Sequence, residues 1–169
     1  DERGPSKIVN CTVIGFQEKG YSIGSYGKIL NCKGDAKYGS LISFTGKSSK
    51  NSEVDLLLLP ETSEFHVLRL IEINGKGHKI RLRNAPGTQR KKPTPIVFGE
   101  SEWADIHLFR SPESPPSKYS GAYDCKLINE TGLPIIFSEL SENCQVITNG
   151  KIQEDRGQGN EVSFTGSNL

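Results

Sequence analysis

The chain has 169 residues, the size of one domain and enough to bury about two-thirds of the surface its unfolded form would expose. Hydrophobic residues make up 34% and are spread along its length, which excludes a disordered tail, while the longest apolar run, residues 56–60, is too short to cross a bilayer. With 21 basic and 20 acidic side chains the net charge is +1, so charge gives no overall case for nucleic acid or membrane insertion.

The first residues, Asp1-Glu2-Arg3-Gly4-Pro5, carry neither an initiator Met nor a signal segment. A mature, processed secretory protein starts in this way, and so does an expression product. Apolar residues then alternate with a period near two, which predicts short strands at 8–16, 28–32, 40–45 and 54–59. Gly20, Gly24 and Gly27, interleaved with Tyr21 and Tyr26, read as a loop between the first two. The clearest strand starts at Phe65, with Val67, Arg69, Ile71 and Ile73 on one face. It meets Asn74-Gly75, the dipeptide suited to a type I′ turn, and resumes at His78, which predicts a hairpin over 65–83.

Residues 85–95 and 111–117 are rich in Pro and Ser and read as long loops. The first holds the basic run Arg90, Lys91 and Lys92, read as a solvated loop, with an anionic glycan or phosphate as the alternative contact. Between the two loops a strand is predicted at 96–98. Residues 101–109 admit a capped helix, but Ile106 and Leu108 alternate with polar neighbours and favour a strand at 105–109. Strands follow at 122–128, 133–137, 144–148 and 161–165. Eighteen glycines and nine prolines punctuate these elements, and the pattern predicts an all-β fold, a sandwich or barrel; the expectation carried forward is an immunoglobulin-like or related antiparallel β-sandwich with two disulfides. The echo between residues 41–46 and 161–166 reads as chance similarity of two strand ends, because their flanks do not repeat.

The disulfides rest on spacing. Cys11 and Cys32 form one pair and Cys125 and Cys144 another, each about twenty residues apart, and two local bonds are the simplest reading. No cysteine has a second cysteine or a histidine within four positions, so zinc is disfavoured. Disulfides place the chain outside the cell or in the periplasm, whereas four buried thiols in a cytosolic protein give the same count.

For chemistry, His66 and His78 on the arms of the expected hairpin, and His107 near Glu102 and Asp105, are the available acid–base or metal-binding groups. Their spacing requires neither role. No nucleophile elbow, phosphate loop, metalloprotease motif or dinucleotide fingerprint occurs. The expectation is therefore a binding protein, not an enzyme, with no cofactor and no metal. Trp103 beside Asp105, together with Tyr21 and Tyr26, has the aromatic and polar chemistry that packs on sugar rings, against a plain alternative of a core Trp and loop tyrosines. Asn10-Cys11-Thr12 and Asn129-Glu130-Thr131 match the N-glycosylation pattern.

The tail Gly157-Gln-Gly-Asn-Glu-Val-Ser-Phe-Thr-Gly-Ser-Asn-Leu169 resembles the donor strand of chaperone-usher fimbrial subunits, with its alternating apolar residues around a Val-x-Phe-x-Gly core. The resemblance implies strand addition to a neighbouring subunit, with Val162 and Phe164 facing inward and Gly166 allowing close approach. In that family the segment stands at the amino terminus, whereas here it closes the chain. Lys118-Tyr-Ser-Gly-Ala-Tyr-Asp-Cys125 resembles the immunoglobulin signature, which would make Tyr123 a corner tyrosine. No Trp closely follows Cys32, as that signature would need.

The sequence thus leads to one domain over residues 1–169, with 157–169 a sheet-completing strand. Its expected role is extracellular adhesion, as a fimbrial subunit or receptor-binding tip domain recognising a host-surface glycan or protein and joined to neighbouring subunits by strand addition. The alternatives are an immunoglobulin-like recognition module of eukaryotic or viral origin and a secreted enzyme with a histidine-built site.

Overall fold

A computed structural model of the protein describes residues 5–16, 19–36, 40–44, 49–60, 71–88, 94–99 and 121–166. Regular structure among them is strand alone, in three sheets. Sheet A holds β1 (Lys7–Val9), β2 (Thr12–Phe16), β4 (Lys28–Ala36), β6 (Glu53–Leu58), β9 (Lys79–Asn84), β12 (Lys126–Glu130), β15 (Gln145–Thr148) and β17 (Glu161–Phe164). Sheet B holds β3 (Lys19–Ile23), β5 (Ser40–Phe44), β7 (Ile71–Ile73), β10 (Ile96–Phe98), β13 (Ile135–Phe137) and β16 (Ile152–Asp155). Sheet C is the shortest, with β8 (Gly75–Lys76), β11 (Ala122–Tyr123) and β14 (Ser141–Glu142).

From β6 to β15 the chain visits the sheets in the order A, B, C and then returns to A one strand further on, while the flanking coils pass from B to A without a strand in sheet C. After β12, β13 and β14 it starts β15 beside β12, with Leu127 against Val146. It then lays β16 beside β13 and β17 beside β15. Every strand pairing among the described residues is parallel. Successive coils stacked in this way make a parallel β-helix, a solenoid in which each coil rests on its neighbours.

Stacking turns the sequence alternation into columns of like residues. Inside sheet A, Ile29, Val54, Ile80, Leu127 and Val146 are in register, followed by Val162. Inside sheet B, Ile42, Ile71, Ile96, Ile135 and Ile152 form one line of isoleucines. Phe98 and Phe137 stack in the next line, with ring centroids 4.9 Å apart. β-branched side chains suit this arrangement because their restricted χ1 repeats from coil to coil. Each fully buried Leu or Ile contributes about 1.5–3 kcal/mol.

The expected antiparallel, immunoglobulin-like sandwich is thus corrected to a parallel solenoid, and the immunoglobulin-like module falls with it. Alternation with period two reports a strand with one buried face, and both architectures have such strands. Most predicted strands lie close to observed ones, the one predicted at 105–109 lies outside the described residues, and β3, β8, β14 and β16 were not predicted as strands. Residues 65–70 of the expected hairpin over 65–83 lie outside the described residues, and the described part does not fold back: β7, β8 and β9 lie in sheets B, C and A, so the chain keeps turning the same way. Gly75 is required for a different reason. It has φ of 107° at the corner between sheets B and C, and a Cβ there would lie 2.3 Å from the Ser49 carbonyl oxygen.

The two disulfides are corrected as well, since Cys11, Cys32, Cys125 and Cys144 are all free thiols. Their interval of about twenty residues is the length of one coil. Gln145 N–H bonds to the Cys125 carbonyl, and Lys33 N–H to that of Cys11, so each pair occupies one position of successive coils. The Cys144 thiol is pushed up by the neighbouring Cys125 and by burial, and stays protonated.

The echo between 41–46 and 161–166 joins strands of different sheets, β5 and β17.

Candidate functional site

One left-handed turn into sheet A recurs with the same local chemistry, three times directly from a strand of sheet C. Tyr26, Asn51, Gly77, Asp124, Asn143 and Gly159 all have positive φ, between 53° and 69°. Asn, Asp and Gly enter this left-handed region at least cost. The residue after each turn points inward: Gly27, Ser52, His78, Cys125 and Cys144 are buried. The next residue points outward, and so Lys28, Glu53, Lys79, Lys126, Gln145 and Glu161 form the first row on the solvent face of sheet A. A second row holds Asp55, Arg81, Ile128, Ile147 and Ser163, and a third Leu57, Arg83 and Glu130.

Across these rows lies an open depression of about 360 Å³ lined by Glu53, Asp55, Lys79, Arg81, Lys126 and Ile128 among others. Its carboxylates, Glu53 and Asp55, are matched to cations, and so is Glu130 beside it. Lys28 Nζ is 2.8 Å from Glu53, Arg83 is 2.7 Å from Asp55 and Arg81 Nε is 2.9 Å from Glu130. The hydrogen bond and charge of Lys28 hold the Glu53 carboxyl below the usual range, with a smaller push from Lys79. Glu130 holds the Arg81 guanidinium above its usual value. Lys79 and Lys126, paired in register on adjacent strands, have no carboxylate within salt-bridge distance among the described residues. Beside them Ile128 and Ile147, also in register, are 40% and 43% exposed.

Sheet B offers no such face at its middle strands. Val97 and Ile136 point away from its isoleucine column, yet both are buried.

His78 belongs to the interior. The Ser52 amide donates to its Nδ1 at 3.1 Å, so Nε2 carries the proton and donates to the Asn74 carbonyl at 2.9 Å. Its ring stacks on Phe44 with centroids 4.3 Å apart, and burial pushes its pKa down to about 4. It is a neutral core histidine at neutral pH. His66 and His107 lie outside the described residues, and no group of three His, Cys, Asp or Glu side chains arranged to hold a metal occurs among those described.

The residues expected to bind a ligand are not brought together. Trp103 and Asp105 lie outside the described residues. Tyr21 is buried, its hydroxyl shared between the carbonyl oxygens of Lys33 at 2.6 Å and Cys11 at 2.9 Å, which makes it a strut across the core. Burial raises its phenol above the usual range. Tyr26 is exposed at the recurring turn, with Lys50 Nζ 5.7 Å from its ring centroid. Of the residues expected in strand complementation, Val162 is half-buried under the last described coil, Phe164 is 65% exposed and Gly166 has φ of 98°. Asn129, in the second glycosylation motif, is fully buried, and its amide donates to the Leu133 carbonyl and to Thr148 Oγ1. Asn10, in the first, is exposed.

Sequence reasoning missed Lys79, Lys126, Ile128 and Ile147. Their signal was present in the repeated turn followed by inward and outward residues, as in Asn51-Ser-Glu-Val, Gly77-His-Lys-Ile, Asp124-Cys-Lys-Leu and Asn143-Cys-Gln-Val. No protein-family model matches the chain, and no curated protein matches it at a significant level.

Proposed function

We propose that this is an extracellular binding protein, acting in adhesion and not in catalysis, whose recognition surface is the solvent face of sheet A and whose ligand is a carbohydrate. The observation that carries this reading is the open depression, lined by polar and charged side chains and by Ile128, with Ile147 continuing the exposed aliphatic strip on the next strand. Apolar area next to hydrogen-bonding groups is the combination a sugar ring presents and needs in return. Support for binding over catalysis comes from the carboxylates. Glu53, Asp55 and Glu130 each sit in an ion pair, and the pair with Lys28 holds the Glu53 carboxyl below the usual range, away from the raised value a general acid needs.

The test is a glycan panel screened against the wild-type chain and an Ile128→Asp/Ile147→Asp variant. Both positions are solvent-exposed, so the variant is expected to fold, with an unchanged circular dichroism melt as the control. Loss of glycan binding in the variant supports the reading. Glycan binding that persists at wild-type strength, or a panel without a single binder, overturns it.

A further inference from the structure

Resting on sheet A as the binding face, we infer that the ligand is an acidic polysaccharide laid along the solenoid axis, with its carboxylates or sulfates meeting Lys79 and Lys126 on successive coils.

The charge distribution carries the argument. Both carboxylates of the depression, Glu53 and Asp55, have a cation at 2.7–2.8 Å, and Arg81 on its wall is paired with Glu130 at 2.9 Å. Once those pairs are set aside, Lys79 and Lys126 remain, directly opposite each other in the parallel ladder. Like charges facing each other across a ladder are destabilising. Glu53, in register with Lys79 on its other side, answers that lysine only at longer range; no carboxylate among the described residues lies within salt-bridge distance of either lysine, and an anion lying over both would offset the repulsion.

Spacing and surface select the class of anion. Neighbouring strands are about 4.8 Å apart, close to the advance of a linked pyranose chain per sugar. A chain with one charge per sugar therefore meets one lysine per coil. The strip of Ile128 and Ile147 runs in the same direction in the adjoining row, where the apolar face of successive rings would lie. A small anion such as phosphate would engage the lysines and leave the strip unused. Single-stranded nucleic acid gains affinity by stacking bases on aromatic side chains, and the strip is aliphatic.

The experiment measures binding of the full chain to polygalacturonate, chondroitin sulfate, neutral dextran and oligo-dT, with inorganic phosphate as competitor. Wild type is compared with Lys79→Gln/Lys126→Gln and with Ile128→Ser/Ile147→Ser. Binding to one or both acidic polysaccharides, and not to dextran, supports the proposal, and which of the two binds identifies the charged group. Each lysine replaced should weaken that binding about tenfold, and the salt dependence should become shallower. Binding lost in the isoleucine variant but kept in the lysine variant overturns the acidic ligand and leaves the carbohydrate-binding face standing. Binding unchanged in both variants, or no polysaccharide bound at all, overturns both. Preference for oligo-dT, or competition by millimolar phosphate as strong as by polymer, overturns the acidic polysaccharide.

Discussion

His78 and Lys79 are adjacent in sequence and opposite in environment, and so are Cys125 and Lys126. The first of each pair is sealed inside sheet A, where His78 is neutral and Cys125 a thiol. The second stands in water on the outer face as a full positive charge. The difference teaches that parity along the strand, set by the recurring left-handed turn, decides what a polar residue can do in this fold. The same histidine one position later would be a surface group with an ordinary titration.

Three measurements press on that contrast. The largest effect is expected at the corner between sheets B and C, two residues before one of those turns. Gly75→Ala places a methyl against the Ser49 carbonyl at positive φ, and should cost upwards of about 3 kcal/mol in urea unfolding. A loss below 1 kcal/mol would mean the corner can relax. Next comes the inside–outside comparison itself. Leu82 is fully buried and Arg81 points outward. Leu82→Ala should cost about 2–5 kcal/mol and Arg81→Ala far less. Equal losses would erase the distinction.

The smallest of the three is the pH response of His78. Its pKa lies near 4 in the folded chain against 6.5 in the unfolded one, so the unfolded state takes up the proton first as pH falls. Stability from this group is complete above pH 6.5 and is lost as the pH drops towards 4, by up to about 3 kcal/mol. His78→Gln should flatten that limb of the stability profile. A profile identical to wild type would assign the acid sensitivity to the carboxylates.

The strands were legible because alternation is local. Glu53–Leu58 and Lys79–Asn84 announce their buried faces within six residues. The partner of each strand was not, because a parallel neighbour arrives only after a full coil, and coils here differ in length. Sheet A strands begin at Glu53, Lys79, Lys126 and Gln145, intervals too uneven to show a period. Asn74-Gly75 misled for a physical reason: a hairpin turn and a solenoid corner both demand glycine, and only the surrounding carbonyls distinguish them. The cysteine interval misled likewise, since repetition of a coil position and a covalent bond both produce pairs. The binding face escaped notice because its residues, Lys79, Lys126, Ile128 and Ile147, are unremarkable one at a time and become a surface only when stacked.

The in-register stacking of the coils makes the molecule a gauge of length. Each coil touches chiefly the one before and the one after, so adding or removing one changes the reach of the outer face by a single step of about 4.8 Å, with no redesign of the core. Affinity for a polymer can then be set by how many steps carry a charge, and selectivity by their order, two quantities that substitution in one outward column rewrites one coil at a time.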